Sequence, residues 1–339
     1  MLRSRNMSAE PQQLVAGLSK LGNLDANGGT AASADSPGHW VFPRGWLDAA
    51  TLRALHRRQI IRPLVQLTAN LTVYGACAFG AVAIGRWYVW PIAWLLMAWV
   101  LTGMIAAVHE CAHRMLWRGP RLNRWTGAVL AAIGLYNFTV YQGFHLTHHK
   151  YTAGENDPEG VNMITTLRIY IMAVLWPYFF IYMWRCCWDV GRGNFPVFVK
   201  NERSRRDARR DNWVVATWFG LVITATAVWP IQMLAFYLVP VAIYFPMFFL
   251  HAIAEHQGCD LNDDVARNTR CILANPFARM ILWSSNYHAE HHAFPGIPSY
   301  RLRQTHVLIG DRFAVRSSYA AFHVKLIAAL WKKSRVTKG

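Results

Sequence analysis

The residues best suited to chemistry in this sequence are histidines in three groups with helical spacing. The groups are His109-Glu110-Cys111-Ala112-His113, His145-Leu146-Thr147-His148-His149 and His288-Ala289-Glu290-His291-His292. Residues at i, i+3 and i+4 project from the same side of a helix, so each group presents its imidazoles together. These groups contain eight of the 14 histidines in the chain. Imidazole suits iron, copper and zinc as a ligand, so the spacing predicts metal binding.

The number of clustered histidines favours two metal ions over one. A structural zinc site closes with four ligands, and eight or nine imidazoles exceed that need. Shared between two ions, they give each ion four or five ligands and leave room for a small molecule. A pair of iron ions is the economical assignment.

The three groups also carry a resemblance to a known family. His-Glu-Cys-Ala-His, Phe-His-Leu-Thr-His-His-Lys-Tyr and Asn-Tyr-His-Ala-Glu-His-His-Ala-Phe-Pro resemble, in order, the three histidine boxes of the membrane fatty acid desaturase superfamily. The resemblance extends from about residue 60 to 310. It implies that the eight box histidines bind two iron ions (Fe2+/Fe3+). It also implies a ninth ligand, His256, although Ala252 stands where stearoyl-type enzymes have an asparagine one turn earlier.

Three carboxylates are candidates to orient a ligand imidazole through its outer ring N–H: Glu110, Asp157 and Glu290. Asp157 lies in Glu155-Asn156-Asp157-Pro158-Glu159, just after the second box. A solvated Asn-Asp-Pro turn is the alternative for Asp157, and a solvated helix residue is the alternative for Glu110. The isolated histidines, which are His39, His56, His306 and His323, are expected at the surface.

Long uncharged stretches indicate an integral membrane protein. Of the 339 residues, 54% are hydrophobic and 16 are tryptophan. Four stretches approach the roughly 20 residues that cross a bilayer, at about 63–85, 87–108, 213–229 and 231–250. Stretches 125–144 and 170–184 are expected to lie in or near the membrane plane, or to pack against the catalytic domain. Crossings there would put either the second box or the basic run at 185–210 on the opposite side. We therefore predict an all-α multi-pass protein with two transmembrane hairpins, in-plane helices and a cytoplasmic histidine-rich helical domain.

The charge distribution supports the same division of the chain. The formal net charge is +17, but the basic residues flank apolar stretches, as on a cytoplasmic membrane face, so nucleic-acid binding is rejected. Residues 1–38 are predicted to be a disordered tail, 39–310 the membrane domain, and 311–339 a basic amphipathic segment. The six cysteines form no CxxC motif and no regular framework, so they are expected to be free thiols.

The resemblance implies an enzyme that uses dioxygen and the iron pair to introduce a double bond into an acyl chain. Electrons would come from an external ferredoxin or cytochrome, because the sequence shows no flavin, dinucleotide or iron–sulfur motif. The substrate would be an acyl-lipid, acyl-CoA or acyl-carrier thioester, and the continuation Ala-Phe-Pro-Gly-Ile-Pro is also similar to sphingolipid desaturases.

Three other functions stay open at this point. One is a hydroxylase or ketolase of the same superfamily, acting on lipid, carotenoid or alkane. Another is a zinc metalloprotease, since His109 to His113 match HExxH. The third is a membrane metal-binding or transport protein.

Overall fold

The computed structural model describes residues 43–154, 156–160 and 162–336, and these are mostly helical. The predicted tail at 1–38 lies outside the described residues. The helices are α1 (Ala49–Leu55), α2 (Ile61–Ile84), α3 (Val89–Ala112), α4 (Pro120–Ile133), α5 (Phe138–Tyr151), α6 (Leu167–Leu175), α7 (Tyr178–Gly191), α8 (Glu202–Val228), α9 (Pro230–His256), α10 (Val265–Asn268), α11 (Pro276–Ile281), α12 (His288–Ala293), α13 (Ser299–Ile309) and α14 (Tyr319–Val336). A π-helical turn at Leu234–Leu238 interrupts α9, and a 3-10 turn at Gly310–Arg312 follows α13.

The expectation of an entirely helical fold needs one small correction. Two short strands, β1 (Cys271–Ile272) and β2 (Arg316–Ser317), pair in parallel with Cys271 opposite Arg316. This pairing joins the segment before the third box to the start of α14. It satisfies backbone groups that are buried where no helix supplies partners.

Four helices, α2, α3, α8 and α9, are long and apolar enough to cross a membrane by length and composition. The four predicted stretches fall on these helices, but the helices extend further. Helix α3 continues to Ala112 and so carries His109, and α9 continues to His256. Backbone hydrogen bonding does not stop where the apolar run ends, so the same rigid helices position the first histidines of the site.

The two apolar stretches that were not expected to cross the membrane, 125–144 and 170–184, each divide between two helices. Residues 125–144 divide between α4 and α5, each of 14 residues. Such a helix is about 21 Å long, shorter than the hydrocarbon core. Helices α6 and α7 bend by 53° at their break, and the described chain would have a fifth candidate span if this pair were counted as one. Pro177 stands at that break and cannot donate a backbone hydrogen bond.

Helix α3 forms the centre of the bundle. It packs against α2, α4, α5 and α9, and 56% of its apolar window is buried, against 11% for α2. Gly103 permits the closest approach, because a Cβ there would lie 2.0 Å from the carbonyl oxygen of Ile281. The first histidine box therefore begins at the end of the most enclosed of the four candidate spans.

Candidate metal centre

Five box histidines form one buried group. They come from α3 and its C-terminal cap (His109, His113), from α5 (His145, His149) and from α12 (His291), and one ring nitrogen of each lies within 4.8 Å of the others. The Nε2 atom of His145 is 2.9 Å from Nε2 of His113 and 3.0 Å from Nε2 of His149. The Nε2 atoms of His149 and His291 are also 3.0 Å apart.

The remaining four predicted histidines form a second group. They are His148 from α5, His256 from the end of α9, and His288 and His292 from α12. The Nε2 atoms of His256 and His288 are 3.0 Å apart, and those of His148 and His292 are 3.3 Å apart. Thus the structure brings all nine histidines together in a five-histidine group and a four-histidine group.

The distances within both groups fit imidazoles arranged around metal ions. Two nitrogens that each lie about 2.1 Å from one ion, at a right angle, are about 3.0 Å apart. Hydrogen bonds alone cannot account for the five-histidine group, since Nε2 of His145 faces two other ring nitrogens at once. Among the described residues, Nε2 of His109 is buried without a hydrogen-bond partner.

In the four-histidine group the Nε2 atoms face one another, and the outer ring nitrogen, Nδ1, points away from the group and contacts an oxygen atom. Nδ1 of His148 donates to Asp157 Oδ1 at 2.9 Å, and Nδ1 of His256 donates to the carbonyl oxygen of Asn268 at 3.1 Å. Nδ1 of His288 lies 3.2 Å from Glu255 Oε1. A proton on Nδ1 leaves the inward Nε2 with a free lone pair, which is the form that binds metal.

Asp157 contacts His148 and also closes a turn, but its side chain is buried and not solvated as the alternative expected. Its carboxylate bonds to His148 and also accepts the backbone N–H groups of Ala153 and Glu159. Burial opposes its ionisation, but His148 outweighs burial and lowers the pKa of Asp157. Burial likewise disfavours the charged form of His148, yet Asp157 and Glu159 raise the pKa of His148 to about 9.

The glutamates inside the first and third boxes lie elsewhere than expected. Glu110 Oε2 accepts the backbone N–H of Ser299 at 2.9 Å, and Glu290 bonds to Nδ1 of His306. Successive helix residues are rotated by about 100°, so each glutamate points away from the side that carries its neighbouring histidines. The predicted surface position is wrong for His306, which is half-buried because it pairs with Glu290, and His56 and His323 are half-buried as well. His39 lies outside the described residues.

Sequence reasoning missed two carboxylates at the site. Glu255 Oε1 lies between Nδ1 of His288 and Nε2 of His251, at 3.2 and 3.4 Å. Glu159 lies 3.6 Å from Nδ1 of His145 and 3.7 Å from Nε2 of His148. Their positions in the sequence could have identified them, because Glu255 precedes His256 and Glu159 lies two residues after Asp157. Spacing along the chain, however, does not show the direction in which either side chain points.

An apolar cavity of about 230 Å3 reaches both groups. Its lining includes His109, His145 and His291 from one group and His256 and His288 from the other. Aromatic side chains supply much of the remaining wall, namely Tyr141, Phe144, Phe179, Phe180, Phe245, Phe248 and Trp283. The clustered imidazoles are therefore open to a space suited to a hydrocarbon chain.

Comparison with known proteins decides the family. A protein-family model described as "Fatty acid desaturase" matches residues 85–324. The chain belongs to the fatty acid desaturase family. The match covers both histidine groups and the helices that carry them, so family membership and the buried imidazoles together indicate a metal site in this desaturase-family protein.

Several characterised members of the family are distant relatives. The dihydrorhizobitoxine desaturase of Bradyrhizobium elkanii is 25% identical over 264 residues, which cover 71% of this chain and 73% of the relative. The sn-1 oleoyl-lipid 12-desaturase of Anabaena variabilis is 25% identical over 69% of this chain and 73% of its own length. The chloroplastic sn-2 acyl-lipid omega-3 desaturase (ferredoxin) of Arabidopsis thaliana is 25% identical over 71% of this chain and 59% of its own length.

Proposed function

We propose that this protein is an oxygen-dependent, di-iron acyl desaturase that introduces a double bond into an acyl chain. The observation that carries the proposal is the meeting of two buried imidazole groups with an aromatic-lined apolar cavity. Its membership of the fatty acid desaturase family agrees with this arrangement.

Each histidine group would hold one iron ion, with five imidazole ligands for one and four for the other. Imidazole suits iron, and a neutral ring is the form that binds. Burial lowers the pKa of His149, His288 and His291 well below the usual value, which favours that neutral form. Bound iron would supply the activation of dioxygen needed to attack an unactivated C–H bond.

The protein itself would position the substrate and the ligands. Asp157, Glu255 and the carbonyl group of Asn268 hold imidazole rings by their outer nitrogens, which fixes the direction of the inner ones. The cavity would hold the acyl chain and exclude water from the reacting carbons. The depth of the chain in the cavity would select the carbon that is attacked, since reaction requires close approach.

We further propose two membrane hairpins, α2–α3 and α8–α9. Helices α3 and α9 both end at the histidine groups, at His109 and His256, so both would reach the same side of the membrane. The start of α8, which holds Arg203, Arg205, Arg206, Arg209 and Arg210, would then lie on that side as well. A cytoplasmic location of this face agrees with the bias of Lys and Arg.

The electron donor would be a separate ferredoxin or cytochrome that docks on the basic cytoplasmic face. Complementary charge speeds such encounters. The substrate would be an acyl-lipid, an acyl-CoA or an acyl-carrier thioester, and the relatives named for acyl-lipids favour the first of these.

Expression in a host with a simple fatty acid profile, followed by fatty acid methyl ester analysis, tests this function. We expect a new unsaturated species that requires oxygen and is lost in a His148→Ala variant of equal abundance. A new hydroxylated lipid instead would assign the protein to the hydroxylases. Purified, metal-containing protein that consumed no dioxygen with reductant and acyl substrate would favour the metal-binding alternative.

A further inference from the structure

We propose that an arginine patch beside the five-histidine group is the docking surface for an acidic electron carrier of the ferredoxin type, and that electrons enter the site past His113. This inference rests on the proposed function, which needs an external donor. It adds the surface and the point of entry. The patch consists of Arg57 and Arg58 before α2, Arg114 and Arg118 after α3, and Arg301 in α13.

Contacts between three distant segments bring these arginines together. Arg58 Nη1 lies 3.4 Å from the carbonyl oxygen of Arg118, and Arg118 Nε lies 3.3 Å from that of Arg58. The Tyr300 hydroxyl accepts the backbone N–H of Gln59 at 2.7 Å and lies 3.4 Å from the carbonyl oxygen of Arg57. The three segments therefore form one surface.

The patch carries positive charge that has no ion-pair partner. Residues 53–62, 111–124 and 298–303 contain ten arginines and no Asp or Glu. Of the ion pairs in the described part of the chain, none involves a patch arginine, whereas Arg205 and Arg210 of α8 pair with acidic side chains. Unpaired positive charge attracts an acidic protein and speeds its approach.

The patch lies next to the exposed edge of a predicted metal ligand. His113 caps α3 and is half-buried, whereas three other histidines of its group are buried. His109 is half-buried too, but it lines the apolar cavity, and His113 is not among the described lining residues. The exposed edge of His113 therefore faces away from the cavity, and the chain continues from it directly to the exposed Arg114.

A second connection runs beneath the patch. Ser299, which precedes Tyr300, donates its backbone N–H to Glu110 at 2.9 Å. Glu110 is buried and stands between His109 and His113 in the first box. One hydrogen bond and two short runs of chain thus join the patch to the five-histidine group. A carrier docked here would be close to the metal site, which matters because electron transfer slows steeply with distance.

The carrier would deliver the electrons that the proposed reaction consumes. One turnover takes one electron from each of two reduced carriers and two protons from water. Together with the two hydrogen atoms removed from the acyl chain, these reduce one dioxygen to two water molecules. The carriers leave oxidised, and the acyl chain gains a double bond.

Binding of oxidised plant-type 2Fe–2S ferredoxin to the detergent-purified protein tests the surface. Arg57→Glu/Arg118→Glu should weaken the affinity by about 10-fold or more at low salt, because two attractive charges become repulsive. Arg57→Gln/Arg118→Gln should have a smaller effect. Added salt should weaken wild-type binding and narrow the difference between the proteins.

Lys325→Glu/Lys332→Glu is the matched control, since these exposed lysines lie on α14, which packs against α6 and α9. It should keep the wild-type affinity. Dithionite needs no docking surface, so it should reduce the iron-loaded wild type and all variants equally fast.

Unchanged affinity in Arg57→Glu/Arg118→Glu, or an equal loss in the lysine control, would overturn the inference. Wild-type protein that binds no ferredoxin but forms the unsaturated product with a chemical reductant would overturn it and leave the proposed function standing. Wild-type protein that forms no such product with any reductant would overturn the proposed function, and this inference with it.

Discussion

The carboxylate of Glu290 bonds to Nδ1 of His306 and thereby ties the third histidine box to α13. The same helix begins at Ser299, whose backbone N–H donates to Glu110 of the first box. Helix α13 therefore contacts both boxes on the side opposite the clustered imidazoles, through Glu110 and Glu290. Both carboxylates are fully buried, so these bonds contribute to the stability and alignment of the site.

We expect His306→Leu to destabilise the protein by about 2–4 kcal/mol, because the buried Glu290 carboxylate loses its nitrogen donor. Thermal unfolding in detergent measures the change. The double variant Glu290→Leu/His306→Leu should recover part of the loss, since no buried charge is left unpaired. Equal destabilisation in the single and double variants would contradict the role of this pair.

Asp157→Asn should weaken metal binding at the four-histidine group by roughly 10–100-fold, because the outer nitrogen of His148 loses a charged acceptor. Cobalt titration monitored by absorption gives the affinity. Asp263→Asn is the matched control, since Asp263 is exposed and lies outside the site. An Asp157→Asn variant with unchanged affinity would show that the contact does not support the ligand.

The metal-free protein should lose stability as the pH falls below about 6.5. Burial lowers the pKa of His145, His149, His288, His291 and His292 well below the usual value, so the unfolded chain takes up protons first. Each such ring costs about 1 kcal/mol at pH 5.5. His148 acts in the opposite sense, because its pKa is raised to about 9 and its contribution is lost as the pH rises through that value.

Unfolding midpoints of metal-free protein at pH 5.5 and 7.5 test this expectation, with the lower midpoint at pH 5.5. Metal-loaded protein is the control. Protonation must compete with the metal for the same nitrogens, so the midpoint should fall less. A midpoint of the metal-free protein that is independent of pH would contradict the buried, neutral state of these rings.

Ala173→Phe should reduce turnover of long acyl chains and leave metal content unchanged. Ala173 lines the cavity from α6 and belongs to none of the histidine-bearing helices, so a larger side chain there occupies substrate space. Product analysis across chain lengths and metal analysis measure the two effects. Ala76→Phe, on the exposed surface of α2, should change neither, and loss of metal in Ala173→Phe would show a wider disruption.

The number and spacing of the histidines made the metal site predictable from local sequence. The i, i+3, i+4 pattern is a property of the helix itself, and the four apolar stretches follow from composition and length. The sequence predicted that residues 125–144 and 170–184 do not cross the membrane. It did not predict the break between α4 and α5 or the bend before α7. The sequence contains Gly134 and Pro177 at these positions, but neither the helix boundaries nor the 53° bend follows from them.

The amino-acid sequence by itself determined which imidazoles are available and that each box presents them on one helix face. Tertiary structure alone decided which imidazole joins which group. His148 and His149 are neighbours, yet they enter different groups because a rotation of about 100° points one towards His256 and the other towards His113. The positions of Glu159, Glu255 and the Glu290–His306 pair likewise depend on contacts between distant segments, whose directions are set by packing and not by spacing along the chain.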